Sequence, residues 1–467
     1  MKFRSKLTIM SCLLVLFYHA SSFSQSSSQD DKFQAEGLTE PVVPKDGEAA
    51  VKVSFPHTDY YMLFDPPQVA AYFTPEGIGF SNEWAETQSP EDDGGDYGEV
   101  GFDKNAVMWI ERQSSARKVV RFRGTLVDGD GTIAHTEVES GSPYGAGDWS
   151  DEWFYIYPDG VSVRVVKIYT GKAKDAVAFW GKPGYSAFWG VRGTIFETQE
   201  TFIHGWAPGL QPPEIIETEA LTLIGMDGQY KRISYKPYPP DKDLFDPANI
   251  QMVNLKSKYH PFTIVPENNV EIKPYYGPME DHENIDKTIF ITWPRRAHFE
   301  GRYTVGLSHV IKWDWHEKTD NTLAKVYLLG MTDKPTEQQR VDKLIKLARN
   351  WQYAPKLVLK GHGYVSEGYD VTQRAYVLNC KSAGEPSALE FKLQASKESP
   401  VVNPCFVVKG WGDAGVKLKI DGHPICSGKN FRFGYERERA GGPDLVVWID
   451  LDSTKAVKMS LLPTVRN

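Results

Sequence analysis

The chain has 467 residues, a net charge of −8 at pH 7, 41% hydrophobic residues and 24% charged ones. That length holds two or three domains at roughly 150 residues each, or one large β domain with a smaller one. The composition excludes a disordered chain, and the acidic balance argues against a general nucleic-acid binder, which carries a basic excess.

Lys2, Arg4 and Lys6 precede an apolar run at 7–18, LTIMSCLLVLFY, and the small residues HASSFS follow. This pattern predicts a secretory signal peptide over 1–24, with an apolar run too short for a permanent membrane span. Apolar residues continue past Cys12, which argues against a lipoprotein anchor. Removing the three basic residues takes the net charge from −8 to −11. The expectation is an exported protein, in the periplasm or the medium, with no membrane contact. Residues 25–50 are polar and small and predict a disordered leader.

Strand patterns follow. VVRFRGTLV (119–127) alternates apolar and basic residues. EWFYIYPDGVSVRVVKIYTG (152–171) predicts a hairpin about Pro-Asp-Gly. Val161, Val163 and Val165 fall on one face, Ser162 and Arg164 on the other. TIFETQETFI (194–203), ALTLIGM (220–226) and TVGLSHVIKWDW (304–315) continue the antiparallel signature. TEQQRVDKLIKLARNW (336–351) predicts an amphipathic helix. Thr336 and Gln339 stand at capping-box spacing, and Val341, Leu344, Ile345 and Ala348 form its stripe. Eight further short strand patterns lie in 352–467. The fold class is therefore mainly β. A large antiparallel β-sandwich over 51–351 carries the catalytic residues, one short helix connects, and a smaller β-sandwich module occupies 352–467. Surplus aromatics, with 23 Phe, 13 Trp and 23 Tyr, suit β sheets that carry aromatic platforms.

Three cysteines remain after the signal peptide: Cys380, Cys405 and Cys426. Export permits one bridge, and buried free thiols fit equally well. No Cys/His ligand spacing implies a zinc site, and no metal site is assigned. DGDGT (128–132) reads as a turn, because a calcium loop needs further ligands. Nucleophile-elbow, P-loop, dinucleotide and HExxH motifs are absent from the sequence.

The densest group of chemistry-bearing residues is TWPRRAHFEGRYTVGLSHVIKWDWH (292–316). It holds Arg295, Arg296, Arg302, His298, His309, His316, Tyr303 and Trp293. Guanidinium forks bind carboxylate and sulfate bidentately, so a local positive spot here suits an acidic ligand. Surface ion pairs and core tryptophans are the plain alternative. A second group, FWGVRGTIFETQETFIHGWAPG (188–209), holds Trp189, Arg192, Glu200, His204 and Trp206. Strand alternation puts Glu200, Phe202 and His204 on one face, and His204 at a strand end is expected to be exposed. Glycosidases use two carboxylates, and Glu197 with Glu200 is the nearest pair. Their odd spacing weakens it, since it sends them to opposite faces.

The phrases DEWFYIYPDGVSVRVVKIY, FETQETFIHGWAPGLQPPEIIETEALTL, ITWPRRAHFEGRY, LSHVIKW, YLLGMTDK and GYDVTQRAYVL resemble exported proteins of Bacteroidetes polysaccharide-utilisation loci. Among these the chain resembles the ulvan lyases of polysaccharide lyase family 40, over most of 100–450. Matching pieces include Arg164 in its hairpin, Gln199-Glu200-Thr201, Gly301-Arg302, Ser308-His309 and Gln373-Arg374-Ala375-Tyr376. His204 departs from an Asn in the relatives, and Arg295 to Glu300 departs from the commoner phrase.

The resemblance implies β-elimination on ulvan, an acidic sulfated polysaccharide of rhamnose and uronic acid. A lyase removes the C5 proton of the uronate and expels the C4 oxygen. The uronate carboxylate must be neutralised as charge develops, by Arg or a divalent ion. On this reading Arg302 or Arg296 holds the carboxylate. His309 or His204 is the base, and Tyr303 or water the acid. Trp189, Trp206 and Trp293 are sugar platforms. Arg192, Glu200, His298 and the Arg295–Arg296 pair contact substrate, the pair suiting a sulfate. A monomer is expected. A hydrolase on an acidic glycan, and a glycan-binding protein without activity, are the competing classes.

Overall fold

The computed structural model describes residues 32–42, 50–65, 68–82, 85–88, 96–98, 105–127, 132–176, 195–197, 199–205, 212–235, 245, 248–274, 303–437 and 442–465. Residues 1–31, which include the segment expected to be a signal peptide, 128–131 and the stretches 177–194, 206–211 and 275–302 lie outside the described residues.

The described chain is mainly β, as expected. An eight-stranded antiparallel sheet runs, in spatial order, through Gln34–Gly37, Val51–Ser54, Tyr61–Asp65, Gln68–Phe73, Ile78–Asn82, Glu200–Gly205, Tyr303–Lys312 and Glu271–Pro274. A ten-stranded sheet packs over it. Its central strands are His260–Ile264, Thr322–Thr332, Val161–Tyr169, Trp149–Ile156 and Lys118–Thr125. The shared core includes Phe64 edge-on to Phe154, with ring centroids 5.0 Å apart.

At its Val161 end the hairpin strand Val161–Tyr169 is buried on both faces, because a second layer covers each. The Val161–Val163–Val165 face lies under the helix Glu337–Gln352. Ser162 and Arg164 point between the two sheets, where Arg164 is 1% exposed. In the turn, Gly160 takes φ +75°, and a Cβ there would stand 1.8 Å from the Tyr60 hydroxyl. The helix starts as its spacing predicts. Thr336 Oγ1 accepts from the Gln339 N–H, and Gln339 Oε1 accepts from the Thr336 N–H. Its apolar stripe covers Ile250, Met252, Phe262 and Ile264.

One expectation needs correction. The disordered leader of 25–50 is ordered over 32–42: Gln34–Gly37 pairs with Val51–Ser54 and forms the edge of the eight-stranded sheet. Phe33 and Ala35 are buried in the core, and Lys118 Nζ lies 4.8 Å from the Phe33 ring centroid. Two apolar residues at strand spacing suffice because the sheet supplies the partner strand, a contribution that local composition does not reveal.

All eight strand patterns of the C-terminal region form. Together with smaller strands they build two five-stranded sheets around a separate core that includes Trp411, Phe406 and Leu445. Trp411 is fully buried and Tyr435 packs against the same core, so both are packing residues. Ala375–Cys380 pairs with Cys405–Lys409 in parallel, because the chain between them crosses to the other sheet as Leu389–Gln394. The three cysteines are free, with Cys405 buried and Cys426 exposed. The outer face of one sheet, with Ala375, Cys405, Val407, Val446 and Trp448, packs on Ala116 and Tyr157 of the large sandwich.

Candidate functional site

His204 and His309 lie on neighbouring strands of the eight-stranded sheet. Glu200–Gly205 sits between Ile78–Asn82 and Tyr303–Lys312. His204 stands opposite Thr304 and Gly79, while His309 stands opposite Glu200 and Lys273. A bulge between Thr201 and Phe202 resets the register, so Thr201 opposes Ser308 and Phe202 opposes Gly306. Both histidines thus belong to the face that turns away from the inter-sheet core. Four residues of strand separate His204 from Glu200, about 13 Å. The two imidazoles therefore cannot serve one reacting proton together.

His204 is 3% exposed, against the expectation of an exposed strand end. Its strand is internal to the sheet, and its Nε2 is 2.7 Å from the Ser81 hydroxyl. The Phe202 ring stacks at 6.3 Å. Gly79 makes this packing possible, because a Cβ there would lie 2.8 Å from the Phe73 ring and 3.2 Å from His204 Cβ. His309 is only half-buried. Tyr303 stands opposite Gly205, one register position out of step with His204.

Arg302, Arg192, Arg295, Arg296, His298, Trp189, Trp206 and Trp293 lie outside the described residues, as does the DGDG of 128–131. Trp313 is buried and Trp315 packs against the core, each under Lys325 Nζ at 4.5 and 4.2 Å from the ring centroid. Those two tryptophans are packing residues.

Several residues of the family-like phrases meet in a buried polar layer between the sheets. Arg164 forms a bidentate pair with Glu152, both bonds 2.6 Å, and donates to the Asn82 carbonyl at 3.2 Å. Gln199 Nε2 donates to Asn82 Oδ1 at 2.5 Å, and Gln251 Nε2 to Gln199 Oε1 at 2.9 Å. Ser308 Oγ donates to Gln251 Oε1 at 2.5 Å. Arg164, Gln199 and Ser308 therefore hold the sheets in register. Directly behind this layer lie Glu200 and His309, the next residues in their strands, so the layer fixes the backbone that carries them.

A second surface carries no sequence motif. The helix covers only one half of the outer face of the ten-stranded sheet. On the other half Arg121 lies 5.3 Å from the Trp109 ring centroid and 4.5 Å from that of Trp153. Arg123 lies 4.4 Å from the Tyr144 ring centroid. Asp151 accepts two bonds from Arg121, at 2.8 and 2.6 Å, and one from the Tyr144 hydroxyl at 2.6 Å. Burial works against the Arg121 charge, yet Asp151 and Glu111 raise its pKa above the ordinary value. Burial and Asp151 push the Tyr144 phenol up as well. The signal was present in the alternating Arg121 and Arg123 of VVRFRGTLV. It lacked a partner until pairing set Arg121 beside Trp109 and Trp153.

No protein-family model matches the chain, and no curated protein matches it.

Proposed function

We propose that the protein is an exported polysaccharide lyase that cleaves ulvan by β-elimination and releases unsaturated uronyl oligosaccharides. The observation that carries the reading is the placement of half-buried His309 opposite Glu200 and braced from behind by the Ser308–Gln251–Gln199 layer. A base must reach the C5 proton of a bound uronate. Half-buried His309 meets that condition better than His204, which is nearly sealed and bonded to Ser81. We assign His309 as the base and His204 as a positioning residue. Arg302 or Arg296 neutralises the carboxylate as charge builds on C5, and Tyr303 or water protonates the leaving C4 oxygen. The fragments are a new reducing end and a chain ending in a 4,5-unsaturated uronate.

Replacing His309 with Ala tests the assignment. Loss of the base lowers turnover by about 10²- to 10⁴-fold, with protein stability retained. Near-normal turnover in that variant overturns it. Mass spectrometry separates lysis from hydrolysis, because the unsaturated fragment is one water lighter.

The face of Trp109, Arg121, Arg123, Tyr144 and Trp153 favours a second reading, a glycan-binding protein without activity. Aromatic rings beside guanidiniums suit a charged sugar chain. On that reading Trp153→Ala weakens ulvan retention, and ulvan keeps its length on incubation.

A further inference from the structure

Where the two sandwiches meet, a cleft of about 330 Å³ opens between the Pro158–Asp159 turn, the 331–334 segment, the helix and the outer face of a C-terminal sheet. That volume sits at the lower end of small-ligand pockets, roughly 300–1,000 Å³, and suits a single sugar unit. Its cations come from different elements: Lys334 before the helix, Lys343 on the helix, Lys429 in the bend before the strand Phe431–Arg437, and Arg432 on that strand. Arg432 stands directly opposite Trp448 on the neighbouring strand. Trp448 is 4% exposed and lines the cleft.

The carboxylates of the cleft divide by role. Asp159 is already engaged: Arg374 donates to it at 3.1 and 2.6 Å, and Asn403 at 3.0 Å. Asp333 and Asp450 are exposed at the cleft and suited to accept from hydroxyl groups. Burial lowers the pKa of the Lys343 ammonium despite Asp333 and Asp159 nearby, so a further anion would favour its charged form.

We infer that this cleft binds the charged group of an anionic sugar, a sulfate ester or a uronate. Arg432, Lys343 and Lys429 face the oxyanion, and Asp333 and Asp450 take the hydroxyls. The inference borrows its sugar class from the proposed function and needs no catalysis. The cleft is built from the turn, helix and C-terminal sheet, on elements other than the His204–His309 strands. Its role is to hold a unit of the polymer away from the bond that is cleaved.

Monosaccharide probes test it, because a lyase cannot cleave them. Rhamnose sulfate, glucuronate, rhamnose and inorganic sulfate are titrated into the full chain by ligand-detected NMR. At least one charged sugar is expected to bind more tightly than inorganic sulfate, and rhamnose least. The double variant Lys343→Gln/Lys429→Gln weakens that binding by about tenfold or more. Unchanged binding in that variant, no binding by either charged sugar, or inorganic sulfate binding as well as the sugars overturns the inference. A result here stands whether or not ulvan is cleaved, so failure of the lyase reading is seen separately in turnover.

Discussion

Arg164 and Glu152 form an ion pair in the middle of the large sandwich, with exposures of 1% and 0% for their side chains. Such a pair adds little over well-packed apolar groups, but breaking it strands a buried charge. Arg164→Met is therefore expected to cost about 3–5 kcal/mol in a denaturant titration, and the double variant Arg164→Met/Glu152→Leu to recover most of it. A single variant within about 1 kcal/mol of the parent would show that water or neighbouring polar groups replace the guanidinium. His260 gives a pH signature. Burial first, and Arg340 second, push its pKa from 6.5 down to about 4. As pH falls through that window the unfolded chain takes up the proton before the folded one does. Stability therefore drops between about pH 6.5 and 4 and levels below it. His260→Gln should flatten that part of the profile in urea midpoints measured across the window. An unchanged slope would place the titration elsewhere. At this scale the sequence showed residue types and hid their surroundings. Arg164 in an alternating strand reads as a solvent-facing charge until a second sheet lies over it.

Individual elements were legible wherever local chemistry specifies them. The helix Glu337–Gln352 carries its cap and stripe in its own residues, and the Pro-Asp-Gly hairpin carries its turn. Thr336→Ala removes a cap bond and should lower stability by about 1 kcal/mol, while Thr336→Ser should not. Equal losses in thermal melts of the two variants would mean that the capping bond contributes nothing. Elements defined by a distant partner were not legible. Gln34–Gly37 becomes a strand only because Val51–Ser54 lies beside it. His204 is sealed because its strand has neighbours on both sides and Gly79 admits Phe73 against it. The candidate site was half legible. Alternation places Glu200, Phe202 and His204 together, and the structure adds His309 opposite Glu200. The Arg121 face was missed because its partners lie on three strands separated in sequence by up to forty-four residues, from Trp109 to Trp153.

The two sandwiches are joined through buried charge. Arg117 donates to Glu436 at 2.7 and 2.6 Å and to Gln373 at 3.0 Å, and Arg374 pairs with Asp159. Burial opposes ionisation of Glu436, but Arg117 and Arg112 hold its pKa below the ordinary 4.5. Asp159 is likewise held below 3.8 against its burial, by Arg374 and Asn403. Depressed carboxyl pKa values contribute stability that is complete above the unfolded values and lost as pH falls through the folded ones. The joint is therefore expected to hold at neutral pH and to weaken below about pH 4. Protease cleavage between the sandwiches should then rise at low pH, and Arg117→Ala should bring that rise to neutral pH. Cleavage independent of both would show that the apolar contact of Tyr157 and Trp448 suffices alone. The same joint forms the cleft with Trp448, so its integrity bears on sugar binding as well as stability. The central claim is that this scaffold performs β-elimination on a uronate polymer. The most direct measurement is ultraviolet absorbance while the protein is incubated with ulvan, and in parallel with alginate, pectin and chondroitin. The account predicts a rise with ulvan, from the conjugated double bond of the product, and no rise with His309→Ala. A flat trace on all four polymers would contradict it.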